Sequence, residues 1–200
     1  YMDWLILSIL SAFLLALSNI IQKSALEKEH SLELSISMFI MSSLILIPNF
    51  FFMDYSSLNL QIVIIIFLRA VFVALGFLNL MKSIKHMAIS VAAPIGNLSS
   101  VIVLILGFLI LGEKLSFLQI IGVFVVIIGT YTLQLEKKHS FFEPFQIILK
   151  SKNMHQAFMS MIFFGVSAVL TKYAFTISNI KTFDYMHLSF LFGAIFLLSY

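Results

Sequence analysis

Seven stretches of this chain, each 17 to 25 residues long, are almost wholly apolar. They run over residues 4–22, 34–53, 60–81, 87–111, 117–134, 156–176 and 184–200. About 20 apolar residues in a helix cross the roughly 30 Å of bilayer hydrocarbon, so each block matches one membrane passage. A soluble globule does not accommodate them. Of 200 residues, 61% are apolar and 10% charged, against roughly 25% charged in an ordinary soluble domain. A domain of this size buries only about two-thirds of the surface its chain exposes. Disorder, a nucleic-acid module and a soluble enzyme are therefore excluded. Open strands in lipid leave backbone groups unpaired, and a closed barrel shows alternating segments of about 10 residues. Here the runs are continuous, as in Ile62–Phe67 and Val123–Ile128. The expected fold is an all-α polytopic membrane protein.

The flanks agree. Eleven Lys and one Arg give a net charge of +3, and they sit mostly between the blocks, where membrane proteins keep basic residues. The first block is no secretory signal: Tyr1-Met2-Asp3 carries no basic residue, and the apolar stretch exceeds the usual length of about 7–15 residues. Residues 54–59 and 112–116 are short enough to be tight turns. Residues 135–155, with their charges and Pro144, are the one linker, and Phe141–Leu149 within it suits the membrane surface. The absence of Cys removes disulfides, thiolate metal sites and cysteine catalysis.

Ala12–Leu26 aligns with Met161–Phe175 at a shift of 149, placing Ser18 on Ser167, Lys23 on Lys172 and Ala25 on Ala174. Met38–Ile45 aligns with Ser189–Phe196 at a shift of 151. The implied repeat unit holds five helices, an odd number, so the second copy enters the membrane upside down. Inverted repeats of this kind build secondary transporters, with the substrate site near the midplane between the halves. Two full units need about 300 residues on that logic, and the seventh block reaches Tyr200 without a polar flank. The chain is expected to be a seven-helix fragment of a ten-helix parent.

Few residues offer chemistry. Pro94 cannot donate to the carbonyl of Ser90 and should kink the fourth block. Asn97, Ser99 and Ser100 follow it, and Ser90, Asn97 and Ser100 share about a third of the helix circumference. This stripe lines a substrate path or lets helices pack closely. Arg69 sits inside the third block without an acid in its own helix. Burying it costs about 2.5–3.5 kcal/mol on insertion scales, so it needs a partner, a cavity or a substrate anion. Asn79 reads as a helix contact. Ser18, Asn19 and Lys23 end the first block, and Ser167, Thr171 and Lys172 end the sixth. Their recurrence favours the path over simple snorkelling. Gly112, Glu113, Ser116 and Gln119 read as structure: a turn whose Ser116 and Gln119 form a capping box for the fifth helix. Gly122 and Gly129 share one face, suited to close packing.

There is no phosphate-binding glycine loop, no Ser/His/Asp spacing and no HExxH. The five His, at 30, 86, 139, 155 and 187, are scattered. No catalytic residue, metal site or cofactor is expected.

Leu109-Ile110-Leu111-Gly112-Glu113-Lys114-Leu115-Ser116, then Gln119-Ile120-Ile121-Gly122 and Ile128-Gly129-Thr130-Tyr131, resembles the end of an EamA-type repeat. That is the ten-helix branch of the drug/metabolite transporter superfamily. Ser18-Asn19-Ile20-Ile21-Gln22-Lys23 is similar to a first-helix pattern of some members, with Gln22 where an acid often stands. The resemblance implies a first repeat over 1–134, a linker over 135–155 and the start of a second repeat over 156–200. It implies an exporter or exchanger of a small metabolite or drug, with no ATP-binding domain, that works by alternating access between two inverted halves. Partners are then a small-molecule substrate and the lipid bilayer, no nucleic acid, with a homodimer left open. The expected location is the cell membrane, the inner one in a bacterium. Other classes are a non-transporting scaffold or accessory protein and a lipid-modifying membrane enzyme. The enzyme would need clustered acids or His at one interface, and the scaffold has little use for Arg69.

Orientation draws two arguments in opposite directions. Lys114, Lys172 and Lys181 fall on the N-terminal side, while Lys23, Lys28, Lys82, Lys85, Lys137, Lys138, Lys150 and Lys152 fall on the other. The positive-inside rule puts the second side in the cytoplasm. The resemblance implies the reverse, with the N-terminus inside.

Overall fold

The computed structural model of the chain describes residues 2–53, 58–87, 98–134 and 152–200. Seven α-helices are described: α1 (Met2–Leu26), α2 (Ser31–Ile45), α3 (Leu60–His86), α4 (Ser99–Leu111), α5 (Phe117–Gln134), α6 (Lys152–Ile177) and α7 (Thr182–Ser199). A 3-10 helix (Ile47–Phe52) follows α2. No strand occurs among the described residues. Four helices are long and apolar enough to cross a membrane, within α1, α3, α6 and α7, and α2, α4 and α5 hold shorter apolar helices. Large apolar side chains face outward, Phe51 at 81% exposure and Leu118 at 79%. Such a surface is stable in lipid and not in water.

α3 is the central helix. Asn59 caps it by accepting from the Ile62 amide at 2.8 Å, satisfying one of the donors a helix start leaves orphaned. Its 27 residues span roughly 40 Å, so the end carrying Lys82 and Lys85 outruns the roughly 30 Å hydrocarbon core. Three apolar layers lie along it. Ile62 and Ile66 meet Ile180 and Tyr185 near its start. Ala74 and Leu78 meet Phe39, Ala194 and Leu197 further on. Met81 and Ile84 meet Leu26 at its end.

Small residues set how closely these helices approach. A Cβ on Gly76 would come within 2.9 Å of the Phe164 ring on α6, and one on Gly165 within 2.5 Å of Ile102 on α4. On α2, Ser31, Ser35, Phe39 and Ser43 are buried, a spacing of four that forms one face. Phe39 of that face lies against Gly193 of α7.

One expectation is corrected. The block 34–53 is not one helix: Pro48 has no amide to donate and disfavours helical geometry in the residue before it, so α2 stops at Ile45 and a 3-10 helix resumes at Ile47. In the block 87–111, helix is described from Ser99 onward; residues 88–97 lie outside the described residues. Gly122 and Gly129 meet no described neighbour, as nothing lies within 4 Å of a Cβ placed on either. α4 ends on Gly112, whose φ of 66° is the left-handed conformation glycine adopts without strain. Ser116 and Gln119 then start α5: the Ser116 amide donates to Gln119 Oε1 at 2.8 Å, and the Gln119 amide to Ser116 Oγ at 3.3 Å.

Candidate polar site between α3, α6 and α7

Arg69 projects from α3 nine residues after its start, about 13 Å along the axis. It is half-buried. Its Nη1 donates to Ser189 Oγ on α7. Its guanidinium carbon lies 5.5 Å from the centroid of the Tyr185 ring, also on α7, within the range of a cation–π attraction. Tyr185 in turn donates its hydroxyl to Thr171 Oγ1 on α6 at 3.0 Å. Thr171 donates to the carbonyl of Ser167 at 2.8 Å, and Ser167 to that of Phe164 at 2.8 Å. One polar chain thus links three helices through an apolar interior. Phe175 stacks at a tilt on Tyr185, with centroids 4.8 Å apart. Two features mark Arg69 as incompletely satisfied. Its Nε is buried without an acceptor, and no carboxylate pairs with it among the described residues.

Of the expected path residues, Arg69, Ser167 and Thr171 belong to this chain of contacts. Ser18, Asn19 and Lys23 do not. Ser18 Oγ accepts from Gln22 Nε2 at 2.9 Å within α1, and Asn19 is half-exposed beside it. Lys23 Nζ donates to the carbonyls of Ile84, Lys85 and Met87 at 2.7, 3.1 and 3.2 Å. Those carbonyls are the ones a helix end leaves without partners, and a cation is favourable there. Ile84 lies roughly 22 Å along α3 from Arg69. Lys172, the counterpart of Lys23 in the alignment, pairs instead with Glu113 beyond α4. Ser100 is exposed in the first turn of α4. Ser90, Pro94 and Asn97 lie outside the described residues. Asn79 donates to its own helix, to the carbonyl of Leu75 at 2.8 Å.

Tyr185 and Ser189 were missed in the sequence, although a polar pair four apart in an apolar block marks one helix face. Asp184 was missed as well. It is fully buried and accepts from Asn49 Nδ2 at 2.7 Å, joining α7 to the 3-10 helix. Three residues on, His187 is buried with Nδ1 unbonded. Among the described residues no three His, Asp or Glu side chains converge as metal ligands. An apolar cavity of about 320 Å³ lies between α4 and α6, lined by Leu106, Ile110, Val166, Val169, Leu170 and Tyr173. Leu170 is shared between this cavity and the core layer that holds Tyr185.

The model of the EamA-like transporter family matches residues 2–134. The chain belongs to that family. No curated protein and no solved structure matches it. An EamA-like chain is a membrane transporter of the drug/metabolite type, and the apolar helices agree with an integral membrane protein.

Proposed function

We propose that this chain carries a small metabolite or drug across the cell membrane by secondary transport, as an exporter or exchanger, and that Arg69 lies on the substrate path. Two inverted five-helix halves alternate access around that path. The observation that carries the reading is the contact chain from Arg69 to Tyr185, Ser189 and Thr171, because it joins the first half to both described helices of the second. The helix bounds support the repeat. α6 ends 151 residues after α1, and α7 starts 151 after α2, close to the shifts of the sequence alignment. The counterparts α2 and α7 also pack on each other through Phe39 and Gly193. Ser18, Asn19, Lys23, Ser90, Pro94, Asn97, Ser100 and Lys172 remain candidates for other stages of the cycle. Lys23 and Lys172 hold partners that a moving helix would have to release.

The test compares the metabolites released by cells that express the chain, its Arg69→Leu variant or neither. Specific compounds should accumulate in the medium, or be depleted from it, only with the wild-type chain. Arg69→Leu should abolish the difference at equal amounts of membrane-inserted protein. Identical media from wild-type and non-expressing cells would overturn the proposal.

A further inference from the structure

We infer that the substrate is an organic anion whose carboxylate docks on the Nε–Nη2 edge of the Arg69 guanidinium. This rests on the transport reading above and adds the substrate class to it. The argument starts from the donors. A guanidinium carries five N–H groups in a fixed plane. Nη1 donates to Ser189 Oγ, and the Tyr185 ring covers the cation. Nε is buried with no acceptor. The covalent geometry places an Nη2–H parallel to Nε–H, and that pair is the fork that a carboxylate accepts bidentately.

The charge points the same way. No ion pair with a carboxylate neutralises Arg69 among the described residues. Asp184, the acid on α7 just before Tyr185, accepts instead from Asn49. A hydroxyl and a ring face orient a guanidinium without cancelling its charge. At a depth of about 13 Å into the helix, an uncancelled cation is costly, and an anionic substrate that arrives there removes that cost. The Phe175–Tyr185 stack and the apolar layer of Ile62, Ile65 and Ile66 suit the carbon body of an organic acid better than an inorganic ion. The ring and Ser189 both lie on α7, so anion binding acts on the contact between α3 and the second half.

Arg69 is the only arginine among the 200 residues, which makes its chemistry site-specific. The purified chain in phosphatidylcholine vesicles is treated with phenylglyoxal, and the Arg69 adduct is followed by mass spectrometry. Arg69→Lys reports any reaction at amines. Sodium acetate is the probe, acetamide is its uncharged counterpart, and sodium chloride controls for ionic strength. Acetate should slow modification several-fold while acetamide and chloride do not. It should also raise the unfolding temperature of the wild-type chain and not that of Arg69→Gln. Equal modification in all three solutions overturns the inference. So does no modification in any of them, because a guanidinium that a small neutral reagent cannot reach has no path for a substrate. Vesicles containing phosphatidylglycerol form a further arm. Protection by that lipid, with none from acetate, assigns the edge to a headgroup and rejects the substrate reading. The two proposals fail separately. Protection without any released metabolite leaves an anion site on a chain that does not transport. A wild-type-dependent release of neutral or cationic metabolites, without protection, leaves a transporter of another class.

Discussion

Lys23 and Lys172 occupy matching places in the alignment, yet they do different things. Lys23 is half-buried and bonds three backbone carbonyls at the end of α3. Lys172 is 56% exposed and pairs with Glu113. Hydrogen bonds from a charged donor to buried acceptors contribute about 1.5–3 kcal/mol, while an exposed ion pair contributes about 0–1 kcal/mol. Lys23→Met should therefore lower stability by about 1.5–3 kcal/mol, and Lys172→Met by no more than about 1 kcal/mol. Denaturant unfolding in detergent, followed by circular dichroism, measures both. Equal losses would show that Lys23 does not cap α3. The sequence placed both lysines at helix ends, but it could not show which end received carbonyls and which received an acid. Their partners are 61 and 59 residues away along the chain.

At the scale of elements, the boundaries follow local chemistry. α2 ends because Pro48 has no amide to offer, and α3 begins because Asn59 caps it. α4 ends because Gly112 turns left-handed. That last stop can be tested without confusing strain with crowding, since nothing lies within 4 Å of a Cβ built on Gly112. Gly112→Ala should cost about 1–2 kcal/mol from the left-handed backbone alone. Gly112→Asn should recover much of it, because Asn visits that conformation more readily. The readout is again denaturant unfolding, and an alanine variant as stable as wild type would remove the strain argument. The turn was legible in the sequence because glycine, Glu113 and the Ser116–Gln119 spacing are local signals. The break at Pro48 was equally local and was overlooked within a long apolar run. The buried Asp184–Asn49 bond was not legible, since its two ends are 135 residues apart.

For the whole molecule, the contacts fall alternately on two faces. Lys23 meets the end of α3 on one face. Glu113 meets Lys172, and Asn49 meets Asp184, on the other. This is the alternation that successive membrane passages require. It does not choose between the Lys count and the family expectation. Two of the eight lysines on the richer side bond backbone carbonyls: Lys23 those at the end of α3, and Lys85 that of Glu29 at 2.8 Å. Six lysines remain on that side against three on the other, so the count still points the same way; the family resemblance alone leads us to expect the opposite orientation, with the N-terminus inside. A reporter enzyme fused after residue 140 should then be active only outside the cytoplasm. Activity in the cytoplasm would restore the positive-inside reading.

Apolar runs of membrane length, turn residues at their ends and a recurring Ser–Lys spacing are all local patterns along the chain. They suffice for an all-helical membrane protein, and with the Gly112–Gln119 turn for its family. Which polar groups meet is another matter. Arg69 could be recognised as a charge needing company, but its company comes from Ser189, 120 residues on, and from Tyr185. An apolar helix in lipid gains little from burying one face rather than another, because lipid is as apolar as its neighbours. Close approach at Gly76, Gly165 and Gly193 therefore selects the partners, and that selection is a property of three-dimensional packing that periodicity in a single helix does not encode.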